Sequence, residues 1–230
     1  MKTALLSYWQ FLKYPRLLRI SSSKKDLKND FLTLLVLNFL FASLIMAIYY
    51  ALLSLKLIIE YNEPDMFQWG FLMALLLGAI VAPINEECIF RWQLRKLKVS
   101  IYFVMLSLMF SMLWFTKDDY ILFFGGLILL AFAIVFHIVM NRLHGKRASL
   151  AWRRYFIFLF YFTAIIFGLV HISNFKGLTF ADPSFALYTS SQIFGGLTMG
   201  YFRLKYGLPY SILFHCSFNL IAIPISWFLR

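Results

Sequence analysis

The stretch Ala82-Pro83-Ile84-Asn85-Glu86-Glu87-Cys88-Ile89-Phe90-Arg91 sets two adjacent carboxylates at the end of the apolar run 71–81. A run of that kind belongs in lipid, where an ionisable side chain is expensive and needs a partner or a role. Helical spacing divides the pair. Glu87 and Arg91 are i,i+4 neighbours, the arrangement that favours an ion pair. Glu86 is turned about 100° from Glu87, since a helix has roughly 3.6 residues per turn. It has no cation in its own sequence vicinity. Glu87 reads as structural and Glu86 as free to act. The competing reading is a charged helix end that marks the membrane surface.

Working outward, the whole composition agrees with a lipid environment. The 230 residues are 62% hydrophobic and 20% aromatic, with only 14% charged. A soluble domain is nearer half apolar and a quarter charged, so the chain reads as an integral membrane protein. The net charge of +12 does not form one basic face but falls at the ends of apolar runs, which excludes nucleic acid as the natural partner. The two cysteines, Cys88 and Cys216, both fall within predicted spans, so no disulfide framework is expected. The first 20 residues lack the apolar core and cleavage site of a signal peptide.

The expected fold is all-α: a polytopic transmembrane helical bundle of about seven spans plus an N-terminal interfacial helix. Residues 1–30 are basic and aromatic, with Leu5, Trp9 and Leu12 along one helical face and Pro15 as the breaker. They form a basic amphipathic segment at the cytoplasmic face. The remainder, 31–230, reads as one membrane domain without repeats. Its spans are expected within 31–59 and 66–98, then at about 101–115, 120–140, 155–172, 185–202 and 209–228. About 20 helical residues suffice for a core about 30 Å thick.

Loop charges orient the bundle. With the N-terminus inside, the cytoplasmic side holds Lys2, Lys13, Arg16, Arg19, Lys24, Lys25 and Lys28. Alternate loops add Arg95, Lys96 and Lys98, then Arg142, Lys146, Arg147, Arg153 and Arg154, then Arg203 and Lys205. The opposite side holds Glu60, Glu63, Asp65, Asp118, Asp119 and Asp182, with few cations. This is the positive-inside pattern, with the C-terminus outside.

Most other polar residues have ordinary explanations. Gly196 and Gly200 form a small-xxx-small pair for close helix packing. His137 reads as a packed or hydrogen-bonded core histidine, and His144 as a solvated loop residue. Three residues resist this treatment. His171 closes Phe167-Gly168-Leu169-Val170-His171, and His215 and Asn219 lie in Phe214-His215-Cys216-Ser217-Phe218-Asn219. Both Phe167 with His171 and His215 with Asn219 are i,i+4 pairs, so the second sends an imidazole and a carboxamide into one space. Together with the glutamates they supply what peptide hydrolysis needs: a carboxylate to accept a proton, a histidine to orient water, and donors for an oxyanion. No HExxH and no serine triad is present. Cys88 falls on roughly the opposite helix face from Glu86, which disfavours a cysteine nucleophile.

The ordered motifs EExxxR (Glu86 to Arg91), FxxxH (Phe167 to His171) and HxxxN (His215 to Asn219) resemble the CAAX protease and bacteriocin-processing (Abi) family of intramembrane proteases. The resemblance implies an all-helical membrane fold, expected in a bacterial plasma membrane, with a hydrophilic cavity open to the cytoplasm. It also implies cleavage of membrane-associated peptides. Carried onto this chain, Glu86 activates water with help from His171. His215 and Asn219 form the oxyanion site, and Glu87, Arg91 and Phe167 support the geometry. The chain departs from the family pattern by inserting two apparent spans, at 101–143, between the first and second motifs.

The candidate substrates are a pheromone or bacteriocin precursor, a leader peptide or a CAAX-like terminus. The alternative is a non-catalytic membrane immunity or regulatory protein on the same fold. No cofactor is expected; zinc held by Glu86, His171 and His215 is the alternative. Depth raises one difficulty. At about 1.5 Å per residue, Glu86 and His215 lie about 14–15 Å from Arg95 and Lys205, but His171 lies about 26 Å from Arg154. A helix beginning near 148, inside the cytoplasm, would reconcile them.

Overall fold

The computed structural model describes residues 1–61, 66–115, 119–142 and 146–228. Glu63, Asp65, Lys117, Asp118, His144 and Arg230 lie outside these described residues. The described residues form helices without strands: α1 (Lys2–Lys13), α2 (Lys24–Ser54), α3 (Phe71–Leu76), α4 (Ala82–Phe90), α5 (Leu97–Phe115), α6 (Asp119–Arg142), α7 (Lys146–Val170), α8 (Phe185–Lys205) and α9 (Leu208–Phe228). Short turns of other pitch join some of them. A π-turn at Leu77–Val81 links α3 to α4, and 3₁₀ turns follow α4 (Trp92–Arg95) and α7 (His171–Asn174).

Local sequence explains several boundaries. Helix α1 stops at Tyr14, just before Pro15. Ser23 caps α2 by accepting from the Asp26 amide at 3.2 Å, and the Asp26 carboxylate sits in the positive first turn. Helices α8 and α9 join at Gly207, whose φ of +107° a side chain would resist. Its amide reaches back to the Phe202 carbonyl at 3.1 Å, closing the end of α8.

Four helical stretches are long and apolar enough to cross a membrane among the described residues: Lys24–Ser54, Phe71–Phe90, Arg153–Asn174 and Leu208–Phe228. They correspond to four of the seven expected spans. Helix α8, expected as the sixth span, is different. It carries hydroxyl, amide and glycine residues along its length, and its stretch from Gly196 to Leu204 is largely buried within the bundle. Helix α8 is packed by α2, α7 and α9, so protein covers much of its surface. The outer faces are apolar in the manner lipid requires, with Leu40, Leu44, Leu72, Phe158 and Leu213 all exposed.

Around α8 lies a core rich in aromatic residues, including Phe90, Phe156, Phe160, Phe167, Phe202 and Phe214. Phe202 stacks on Phe214 with ring centres 4.7 Å apart, fixing α8 against α9. The expected glycine pair does the same for α7. A Cβ on Gly200 would meet the Phe160 ring at 2.7 Å, and one on Gly196 would meet the Ala164 backbone at 3.3 Å.

Helix α7 begins at Lys146 rather than near Tyr155, the longer helix that the depth of His171 called for. Helix α1 packs on the bundle by the face opposite Leu5 and Trp9, which leaves those apolar residues outward as an interfacial helix would. Ala4, Tyr8 and Phe11 are buried against the bundle, while Leu5 and Trp9 stay exposed and Leu12 is partly buried. His137 is exposed rather than in the core, with its Nδ1 2.6 Å from the Tyr102 hydroxyl. Both cysteines are free, Cys88 exposed and Cys216 half-buried. At the far end of the bundle, Tyr61 donates to Asp182, and this bond with those from Ser184 holds the Asp182 carboxyl below its usual pKa.

Candidate active site

The first motif is positioned by a proline. In a π-turn each amide bonds five residues back, and the Ala82 amide does so to the Leu77 carbonyl. The next amide in that series would serve Gly78, but it belongs to Pro83 and has no hydrogen. The Gly78 carbonyl is instead bonded by the side chain of Asn219, Nδ2 to O at 2.8 Å. One motif residue on α9 thus braces the turn that aims the glutamates of α4.

Beyond that turn, α4 sends its two carboxylates to different surroundings. Glu87 is fully buried, whereas the Glu86 side chain is 29% exposed. Arg91, also buried, places Nε 3.7 Å from Glu87 Oε2, as the i,i+4 spacing suggested. Its guanidinium carbon lies over the Phe167 ring, 4.0 Å from the ring centre. Space for it comes from Gly196, where a Cβ would sit 3.2 Å from Arg91 Nη2. Arg203 holds the end of α4 from α8, donating to the Arg91 and Trp92 carbonyls at 3.0 and 3.1 Å.

His215 is the bridge between the glutamates. Its Nδ1 is 3.2 Å from Glu87 Oε1, and its Nε2 is 3.8 Å from Glu86 Oε2. His171 sits at the end of α7, its Nδ1 2.6 Å from the Phe167 carbonyl. Phe167 separates the groups: its ring lies 4.8 Å from that of His171 and 6.0 Å from that of His215. These contacts settle the tautomers of both imidazoles. A carbonyl or a carboxylate can only accept, so each Nδ1 carries hydrogen. When neutral, both histidines therefore present an unprotonated Nε2.

The structure thus gathers Glu86, Glu87, Arg91, Phe167, His171 and His215 at one place, from α4, α7 and α9. Asn219, one helical turn beyond His215, is engaged with Gly78. Its Nδ2 retains a second hydrogen.

Ser211 belongs to the same cluster and was missed by sequence reasoning. It is fully buried, donates to Glu87 and lies 2.9 Å from the Met199 carbonyl. Its place one turn before His215, on the same face of α9, was the available signal.

Glu86, His171 and His215 are the side chains here that could hold a metal. Two ligands on one tetrahedral zinc stand about 3.3–3.4 Å apart, from bonds of about 2.0–2.1 Å. The 3.8 Å between Glu86 Oε2 and His215 Nε2 is wider than that. Among the described residues no three such side chains are grouped to share one ion. As placed, the residues do not fit a zinc centre.

Residues 68–221, from just before α3 to within α9, match the family described as type II CAAX prenyl endopeptidase, Rce1-like. No curated protein and no solved structure matches the chain. The match takes in every motif residue named above and two-thirds of the sequence, and the chain belongs to this family.

Proposed function

We propose that the protein is an intramembrane endopeptidase that cleaves membrane-associated peptides or protein termini at the cytoplasmic side, with Glu86 as the proton acceptor. The observation that carries this reading is the pairing of Glu86 Oε2 with His215 Nε2 at 3.8 Å beside a fully buried Glu87. That separation leaves room for one water within hydrogen-bond reach of both atoms, about 2.8 Å from each. Family membership supplies the reaction class, proteolysis of the CAAX type.

Glu86 takes one proton of the water as its oxygen attacks the scissile carbonyl carbon. Both histidines offer an Nε2 that can accept the second hydrogen; we assign it to His171, whose Nδ1–H is committed to Phe167, and leave His215 for the oxyanion. The oxyanion receives the remaining hydrogen of Asn219 Nδ2. His215 can donate to it from Nε2 only as the imidazolium, because its other N–H is directed at Glu87. As the C–N bond breaks, Glu86 returns its proton to the leaving amine. Glu87, Arg91 and Phe167 hold the imidazoles in place.

The reading is metal-free. The expected result is cleavage that persists after exhaustive chelation, with near-stoichiometric zinc absent by elemental analysis. Activity lost on chelation and restored by zinc alone would overturn this and make Glu86, His171 and His215 ligands.

Comparison of membrane peptides from cells making wild-type or Glu86→Gln protein at equal abundance tests the activity itself. Peptides that disappear in the variant are expected. Identical peptide pools would leave the alternative, a non-catalytic regulatory or immunity protein. The proposed topology keeps the N-terminus and the site side inside across seven spans. Cysteines at Glu63 and Lys117 should then react with an impermeant thiol reagent in sealed cells, and one at Lys146 should not.

A further inference from the structure

We infer that Ser211 is a positioning residue for this hydrolysis, fixing the Glu87 carboxylate and through it the orientation and tautomer of His215. The inference rests on the proposed activity only for its kinetic consequence. Its structural content stands on the contacts themselves.

Hydroxyls in helices usually bond back to their own backbone, three or four residues earlier. This chain does so repeatedly: Thr163 bonds the Phe160 carbonyl at 2.9 Å, Thr189 that of Phe185 at 3.0 Å, and Thr198 that of Phe194 at 3.1 Å. Ser211 breaks the habit. Its hydroxyl leaves α9 and turns its one hydrogen toward Glu87 on α4, with the Met199 carbonyl of α8 at 2.9 Å as the competing acceptor and no exposure to solvent.

The consequence follows from counting donors around Glu87. Oε1 takes the His215 Nδ1–H, and Oε2 takes Ser211 with Arg91 Nε at the longer distance of 3.7 Å. Ser211 and His215 are both on α9 and meet opposite oxygens of one carboxylate. With both oxygens held, the carboxylate cannot turn about its own bond, and Oε1 stays where the imidazole needs it. Without the serine, Oε2 is left to Arg91 alone and is free to rotate toward the guanidinium nitrogens that have no hydrogen-bond partner among the described residues. Oε1 then swings off Nδ1. The imidazole loses the acceptor that keeps its hydrogen on Nδ1 and its Nε2 toward Glu86.

The test is nitrogen NMR on protein labelled in its histidine rings, with His215 assigned by substitution, alongside cleavage kinetics. Ser211→Ala should move the His215 ring-nitrogen signals toward a mixture of tautomers and leave those of His171 in place. It should lower kcat by about 10–100-fold, taking the range for partners that orient a metal-bound histidine as the guide, with KM little changed because Ser211 touches no substrate. Ser211→Thr restores the hydroxyl and should restore both signal and rate; Ser211→Cys, similar in shape but a weak donor, should not. If Ser211→Ala does not fold, the threonine and cysteine variants carry the comparison. Unchanged His215 signals in folded Ser211→Ala or Ser211→Cys protein would overturn the inference. Altered signals in a protein that cleaves nothing would uphold it and overturn the proposed activity.

Discussion

Two buried carboxylates, Asp30 and Glu87, meet their cations in opposite ways. Asp30 is closed in by donors: Lys205 Nζ at 2.7 Å, the Tyr206 hydroxyl at 2.8 Å and the Tyr201 hydroxyl at 3.1 Å. Lys205 also reaches Tyr201 at 2.7 Å. Burial works against its charge, but the hydrogen bonds to Asp30 and Tyr201 outweigh this and raise its pKa. Around Glu87 the account is left open. Arg91 stands off at 3.7 Å, and its Nη1 and Nη2 are buried with no hydrogen-bond partner among the described residues. A fully satisfied network holds structure together, while a partly satisfied one is costly and persists where something else requires it. Asp30 joins α2, outside the family-matched region, to α8 within it. Glu87 divides its hydrogen bonds between Ser211 and a histidine that faces Glu86.

The sharpest way to break this comparison is to remove the cation on the open side. Arg91→Ala leaves Glu87 buried and uncompensated, at a cost of about 3–5 kcal/mol, and activity should fall with the folded fraction. Glu87→Gln should destabilise as well, because Arg91 then loses its carboxylate. Glu86→Gln should keep the melting temperature and lose hydrolysis. A stable, inactive Glu87→Gln beside an active Glu86→Gln would reverse the assignment of the two glutamates.

On the closed side, Asp30→Asn should cost about 1.5–3 kcal/mol, the range for hydrogen bonds to charged groups. The lower end is expected, because the Lys205 side chain is 19% exposed and can take up water. Measured per folded molecule, kcat should be unchanged. A fall in kcat at equal folding would mean that the α1–α2 side of the bundle communicates with the site, and the contrast between the two carboxylates would fail.

How far the site could be read in advance follows the same division. The i,i+4 pairs were legible because helical spacing alone brings Glu87 to Arg91 and Phe167 to His171. The Asp30 cluster was not, since Asp30 looks like one more charge in a basic leader and its partners lie some 170 residues on. Ser211 was hidden for a related reason: a serine in an apolar helix ordinarily bonds its own backbone. The brace between Asn219 and Gly78 depends on a π-turn, which hydrophobic periodicity does not register. The packing face of α1 was not legible, because Ala4 and Tyr8 carry little apolar signal beside Leu5 and Trp9.

Gly196 sharpens the comparison from the packing side. A methyl there would press on Arg91 Nη2 at 3.2 Å and on the Ala164 backbone at 3.3 Å. Neither can move far, so Gly196→Ala should cost about 1–3 kcal/mol and displace the guanidinium. Gly126→Ala is the control. Nothing lies within 4 Å of the added methyl, so melting should be unchanged or slightly higher.

Asn219 combines a small expected effect on stability with a larger one on chemistry. Its bond to Gly78 replaces the amide hydrogen that Pro83 lacks, and a single neutral hydrogen bond contributes about 0.5–1.5 kcal/mol. Asn219→Ala should lower stability by that amount. The remaining Nδ2 hydrogen is the one assigned to the oxyanion, and removal of such a donor costs about 10²–10³ in kcat. The two roles separate in one experiment, in which thermal melting and single-turnover cleavage are measured on the same preparation. A modest stability loss with a kcat drop of at least about 100-fold is the expected result. If kcat per folded molecule held at the wild-type value, Asn219 would be a brace for the π-turn alone. The oxyanion would then fall to His215, which can donate from Nε2 only as the imidazolium.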